Sequence, residues 1–153
     1  MIRQRKYLGI ALMLAILAQA SCTPDDVSKV KKKVADAAVI LNSAAKSNRT
    51  LYQSGIYGAV GSPEAIAKRQ TVAKGIFDAN EYLSMAVERA ASLTASDLPT
   101  GKTDIVALLQ KAVQALNSVH VGNDKIQLVI SSAVTAINAA MVIIPFKQGQ
   151  EKR

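Results

Sequence analysis

From residue 27 to residue 44 the apolar positions Val27, Val30, Val34, Ala37, Leu41 and Ala44 recur at alternating steps of three and four. Steps of that size return to one side of an α-helix, whereas a half-buried strand needs steps of two. A helix striped this way for several turns is close to a heptad seam and must bury the stripe against other helices. Extending it adds Asn48 and Leu51 and carries the first helix to about residue 54, where Gly55 supplies a natural stop. The same pattern returns three times, and no segment shows convincing strand alternation.

A glycine-rich loop follows, with Gly55, Gly58 and Gly61 at spacing three beside Tyr52 and Tyr57. Ser62 as cap, Pro63 at the first helical position and Glu64 in the first turn announce helix two, expected over residues 63–93. Its stripe reads Ile66, Ala73, Ile76, Phe77, Asn80, Leu83, Val87 and Ala90, with Gly75 marking a close crossing or a weak point. Residues 94–102, containing Pro99 and Gly101, read as a polar linker. Helix three then starts at Thr103 and Asp104, buries Ile105, Leu108, Leu109, Ala112, Val113 and Leu116, and stops before His120. Asn123 and Asp124 cap helix four, which turns Ile126, Val129, Ile130, Ala133, Ile137, Ala140, Met141 and Ile144 inward and is closed by Pro145. Short connections between four amphipathic helices predict an all-α fold, an antiparallel four-helix bundle over residues 27–145, with a basic tail at 146–153. With one cysteine no intrachain disulfide can form. Half the residues are apolar and many of those are alanine, so packing of small side chains must hold the fold.

The chain opens with Arg3, Arg5 and Lys6, continues through an uncharged apolar run at 7–18, and reaches Cys22 through the small residues Ala20 and Ser21. That is the order of an export signal. A lone cysteine at its boundary resembles the lipid-attachment site of bacterial lipoproteins. The resemblance covers the first 22 residues and implies a signal at 1–21, acyl chains such as palmitate on Cys22, and a tether at 22–26. Gln19 stands where that family usually has an aliphatic residue, and Ala18, Gln19 and Ala20 also form a site for ordinary signal peptidase. Cleavage there would release a soluble periplasmic or secreted protein. Thr23 after the cysteine, in place of aspartate, implies the outer membrane, facing the periplasm, by analogy with Gram-negative lipoproteins. Several acyl chains would anchor the protein stably, since each buried methylene contributes about 0.8 kcal/mol.

Loss of Arg3, Arg5 and Lys6 with the signal lowers the formal net charge from +8 to +5. Lys29, Lys31, Lys32 and Lys33 crowd just beyond the anchor, where they either meet anionic headgroups or form a solvated helix face. Without aromatic residues among these lysines, nucleic-acid binding is not expected. Tyr52, Ile56, Tyr57 and Val60 put apolar groups on the glycine loop, suited either to contact with an envelope protein partner or to plugging the bundle end. His120 is alone, so no histidine pair exists within one chain, and it fits the end of helix three. Glu81 and Glu88 lack the Glu-x-x-His partners of a carboxylate-bridged metal centre, and no serine sits in a Gly-x-Ser-x-Gly or Ser-x-x-Lys setting. No catalytic residue, metal or cofactor is expected. Residues 128–144 contain no charge, as in a central bundle helix or a short membrane-active segment. The sequence thus points to a lipid-anchored envelope protein with a binding or structural role. Its alternatives are a membrane-active or exclusion-type protein and a small-ligand carrier with a cavity lined by polar groups such as Asn80 and Asn138.

Overall fold

The structure, a computed structural model, describes residues 24–142. These form four helices: α1 (Pro24–Gln53), α2 (Pro63–Ala91), α3 (Leu98–Asn117) and α4 (Asp124–Val142). Each lies beside its two neighbours around a ring, α1 and α3 both packing between α2 and α4. The expected antiparallel four-helix bundle is what forms. The expected signal at 1–21, Cys22, Ile144, Pro145 and the tail at 146–153 lie outside the described residues.

Pro24 opens α1, with Asp25 and Asp26 in its first turn where carboxylates complement the helix dipole. Residues 24–26, expected within a tether at 22–26, are helical. The buried stripe of α1 is Val27, Val30, Val34, Ala37, Leu41, Ala44 and Asn48. Its end is a Schellman motif: the Ile56 amide donates to the Leu51 carbonyl and the Gly55 amide to that of Tyr52, both at 3.1 Å. Gly55 adopts φ +75°, the left-handed conformation this ending requires.

Helix α2 begins as its sequence announces, the Ser62 hydroxyl accepting the Ala65 amide at 3.2 Å ahead of Pro63. Its phase is different from the expected one. Ala65, Val72, Ile76, Ala79, Leu83, Ala86 and Ala90 face the core, while Ile66 and Phe77 are 38% and 69% exposed. Ile76, Leu83 and Ala90 stay inward while the rest of the stripe slips by one residue, so the buried face turns by less than a full one-residue shift of about 100°. Gly75 explains the choice. A Cβ there would lie 2.1 Å from Val119 Cγ2 and 3.3 Å from the Ala115 carbonyl oxygen. A face of glycine and alanine lets α3 approach closely, which a face holding Ile66 and Phe77 would prevent.

Helix α3 starts at Leu98, five residues before the expected Thr103, and it absorbs most of the supposed linker. Pro99 is compatible with a first helical turn, where its missing N–H is not needed. Gly101 is buried under Leu93 and Arg89; a Cβ there would meet Leu93 Cδ1 at 2.1 Å. The turn before α3 is closed by Asp97, whose carboxylate accepts the Thr94 hydroxyl and amide at 2.6 and 2.7 Å and the Arg89 guanidinium at 3.2 Å. Arg89 also donates to Asp104 at 3.0 Å, stapling α2 to α3. These contacts, chiefly the Thr94 hydroxyl, hold the Asp97 carboxyl down at about 2. Leu98, Ile105, Leu109, Ala112 and Leu116 fill the core from α3 and Ile126, Ile130, Ala133, Ile137 and Ala140 from α4. Leu108, Val113, Val129 and Met141 are only half-buried, flanking it. Asn123 caps α4 by accepting the Lys125 and Ile126 amides, and its own amide donates to the Ile56 carbonyl at 3.5 Å, joining the α3–α4 connection to the glycine loop.

Candidate functional site

The glycine loop is tied down by its tyrosines. Tyr57 is buried, 3% exposed, and its hydroxyl donates to Asn48 Oδ1 at 2.5 Å inside the bundle end. Burial pushes its phenol up to about 12, partly opposed by the nearby Arg69 charge. The Tyr52 hydroxyl accepts the Gly61 amide at 3.1 Å, and its ring lies 6.4 Å from that of Tyr57. Ile56 is half-buried against the core. Of the four residues offered as a contact surface, Val60 alone is substantially exposed, at 58%. Tyr57 therefore plugs the bundle end and is not available to a partner, because its ring completes the apolar floor and Asn48 satisfies its hydroxyl.

The lysine cluster also divides. Lys31 reaches across to α2 and donates to the Ala91 carbonyl at 3.0 Å, where a cation suits the helix C-terminus. Lys29 lies 3.8 Å from Asp25, Lys32 is exposed and Lys33 half-buried. Positions 29, 31, 32 and 33 spread around a helix, so they cannot all point to one surface. Cys22 lies outside the described residues.

A cleft between α1 and α2 has the chemistry that the loop lacks. It encloses about 260 Å³, bounded on α1 by Leu41, Asn42, Ala45, Asn48 and Arg49 and on α2 by Arg69, Ala73, Ile76, Phe77 and Asn80. The space exists because Ala45 and Ala73 are too small to fill the groove between the helices, while Arg49, Arg69 and Phe77 extend beside it. No carboxylate lines it. Among the described residues neither arginine forms an ion pair, although Lys29, Lys68, Lys74 and Arg89 all do. The Arg69 guanidinium sits 4.9 Å from the centre of the Tyr52 ring, a cation–π contact that orients it without neutralising it. Asn48 closes the cleft floor and links it to Tyr57.

Two other grooves are less suited to specific binding. One beside Gly75, about 600 Å³, is open and carries Lys74 and Asp78, which neutralise each other as an ion pair. Another between α1 and α4, about 250 Å³, is lined by Ile40, Ser43, Ser47, Leu128 and Ser132 and has no charged group. Asn138, expected with Asn80 around any cavity, is exposed on α4 and far from being shared with it; Asn80 does line the α1–α2 cleft. His120 is exposed past the end of α3, its ring Nδ1–H donating to the Ser118 carbonyl at 2.9 Å. Among the described residues no three of His, Cys, Asp and Glu come together as metal ligands.

No protein family, curated protein or solved structure matches the chain. The site is therefore defined by its own geometry. The sequence pattern does not single out Arg49, Arg69 or Asn42, and it puts Phe77 on the core stripe of helix two. The available signal was the run Arg69, Ala73, Phe77 and Asn80, spaced four, four and three. A helical face that mixes a cation, a small residue, an aromatic and an amide describes a groove wall better than a core stripe. With guanidinium and amide groups but no placed base or nucleophile, the cleft is equipped to bind.

Proposed function

We propose that this chain is a lipid-anchored protein of the bacterial outer membrane, facing the periplasm, whose helical bundle serves as a binding module. Cys22 holds the start of α1 at the membrane, and the α1–α2 cleft receives the ligand. The observation that carries this reading is the cleft's position. Its α1 residues begin at Leu41 and end at Arg49, about 25 to 38 Å along the helix from Pro24 at 1.5 Å per residue. A cleft so placed stands clear of a bilayer to which the other end is fixed, while Lys29 and Lys32 remain beside that bilayer. The reading has no catalytic step and needs no cofactor.

Intact mass of the protein purified from bacterial membranes, beside a Cys22→Ala variant, tests the anchor. The expected species begins at Cys22 and carries acyl chains, and the variant leaves the membrane fraction. An unmodified chain beginning at Ser21 would sink the anchored reading and make the module a soluble exported protein.

One observation favours a membrane-active alternative. Helix α4 is long and apolar enough to cross a membrane by length and composition, and Leu128 and Val142 are 67% and 80% exposed. Its inward stripe nonetheless belongs to the bundle core. Dye release from anionic vesicles by the Cys22→Ala chain separates the two: a binding module leaves the vesicles intact, and rapid leakage would favour insertion of α4.

A further inference from the structure

We infer that the α1–α2 cleft takes an acidic sugar, a pyranose unit bearing a carboxylate or a phosphate. The inference rests on the binding role proposed above and specifies its ligand.

Three features converge on this chemistry. Arg49 and Arg69 bring two guanidiniums to a cleft with no carboxylate, so the resident charge calls for an anion. Arg69 is half-buried and held against Tyr52, with no hydrogen bond to any described residue, so its planar fork is free to pair two ligand oxygens. Asn42 and Asn80 add carboxamides that offer both donors and an acceptor, while Asn48, whose Oδ1 already accepts the Tyr57 hydroxyl, adds its amide donors. A bare anion uses donors only; amide oxygens are matched by ligand hydroxyl or acetamido N–H groups. Phe77 then stands at the wall, 69% exposed. An aromatic face beside hydrogen-bonding side chains suits the mixed C–H and O–H surface of a sugar ring.

Size narrows the ligand further. About 260 Å³ is slightly below the usual range for small-molecule pockets, which begins near 300 Å³, and accommodates one substituted ring. An acyl chain would find little room among three amides and two cations. The acid could come from a glycan carrying sugar carboxylates or from a phosphorylated sugar headgroup, and the two sources share this recognition chemistry.

Calorimetric titration of the full protein, purified from membranes in a non-ionic detergent, distinguishes them. The probes are N-acetylmuramic acid, glucose 1-phosphate, N-acetylglucosamine and inorganic phosphate. One of the two acidic sugars should bind at least about tenfold tighter than both the neutral sugar and free phosphate, identifying the source. Arg69→Gln should weaken that binding by about tenfold or more, the scale of a charge-assisted hydrogen-bonded pair. Phe77→Ala, at an exposed position, should weaken it several-fold with helical content unchanged. Equal binding of acidic and neutral sugars, equal binding of free phosphate, or indifference to Arg69→Gln would each overturn the assignment. So would absence of binding by all four probes. In that case a lipidated mass would still uphold the envelope anchor, so failure of the ligand and failure of the anchor are separable.

Discussion

Tyr57 offers a test of the bundle end in which two effects act in opposite directions with pH. Its hydroxyl donates to a buried asparagine oxygen, so Tyr57→Phe removes one hydrogen bond and leaves Asn48 Oδ1 without that partner. Stranding a buried acceptor costs about 1–3 kcal/mol, which is the loss expected near pH 8. Above pH 10 the wild-type protein has a liability that the variant lacks. The phenol is raised to about 12 in the folded protein against 10.0 for a free tyrosine, so the folded state holds its proton where the unfolded chain releases it. The stability of that raised group is fully present below pH 10 and is lost as pH climbs through 12. By linkage the loss from this one phenol is about 1.4 kcal/mol by pH 11. Urea unfolding followed by circular dichroism, on wild type and Tyr57→Phe at pH 8, 9, 10 and 11, measures both effects at once. Taking the difference between the proteins cancels the shared titration of lysines and other tyrosines. The wild-type advantage should narrow by about 1.4 kcal/mol between pH 9 and pH 11. A gap that stays constant across that range would show that the phenol is not buried and would remove the link between loop and cleft.

Gly75→Ala tests the close approach of α2 to α3. Alanine gains about 1 kcal/mol of helix propensity over glycine, but its Cβ would fall 2.1 Å from Val119 Cγ2, an overpacking that costs about 1–3 kcal/mol. The variant should be neutral to destabilised by about 2 kcal/mol, and adding Val119→Ala should relieve the clash, giving a double-mutant coupling above about 0.5 kcal/mol. At the other end of the bundle, Asp97→Asn should lower the urea midpoint at neutral pH. Because the Asp97 carboxyl is held at about 2, its contribution is present above pH 4 and disappears as pH falls through 2; retention of the wild-type midpoint in the variant at pH 7 would contradict the staple. Arg49→Gln should leave the unfolding free energy within about 0.5 kcal/mol of wild type and Arg69→Gln within about 1 kcal/mol, the latter for its lost contact with the Tyr52 ring, and a larger loss would make either arginine structural.

The sequence pattern was most informative where bulky apolar residues alternate with charged ones. Valines and Leu41 on α1 stand against lysines and aspartates, leaving one phase for that helix. The isoleucines of α4 stand out in the same way. On α2 the contrast fails, because the true inner face is largely alanine while Ile66 and Phe77, the bulkiest candidates beside it, point outward. Hydrophobicity alone favours the bulky face; the close approach at Gly75 selects the small one. The start of α3 was hidden for a related reason. Pro99 and Gly101 signal loops by local propensity, yet the first is placed where proline is tolerated and the second where Leu93 leaves no room for a side chain. The cleft was the least legible feature. It depends on the relative rotation of two helices, so a one-residue error in the phase of α2 turns Phe77 inward and removes the site. Asn80 drew notice as a polar residue on a stripe, but its companions Arg49 and Arg69 become neighbours only through the fold.

That phase can be measured directly by thiol labelling. In a Cys22→Ala background the chain has no other cysteine, so Ile76→Cys and Phe77→Cys each present a single reporter. With Ile76 at 5% exposure and Phe77 at 69%, the thiol at 77 should react with a maleimide at close to the rate of the unfolded chain, and the thiol at 76 should react only through opening of the bundle. The reverse order, fast at 76 and protected at 77, would turn Phe77 into the core and leave no cleft between α1 and α2.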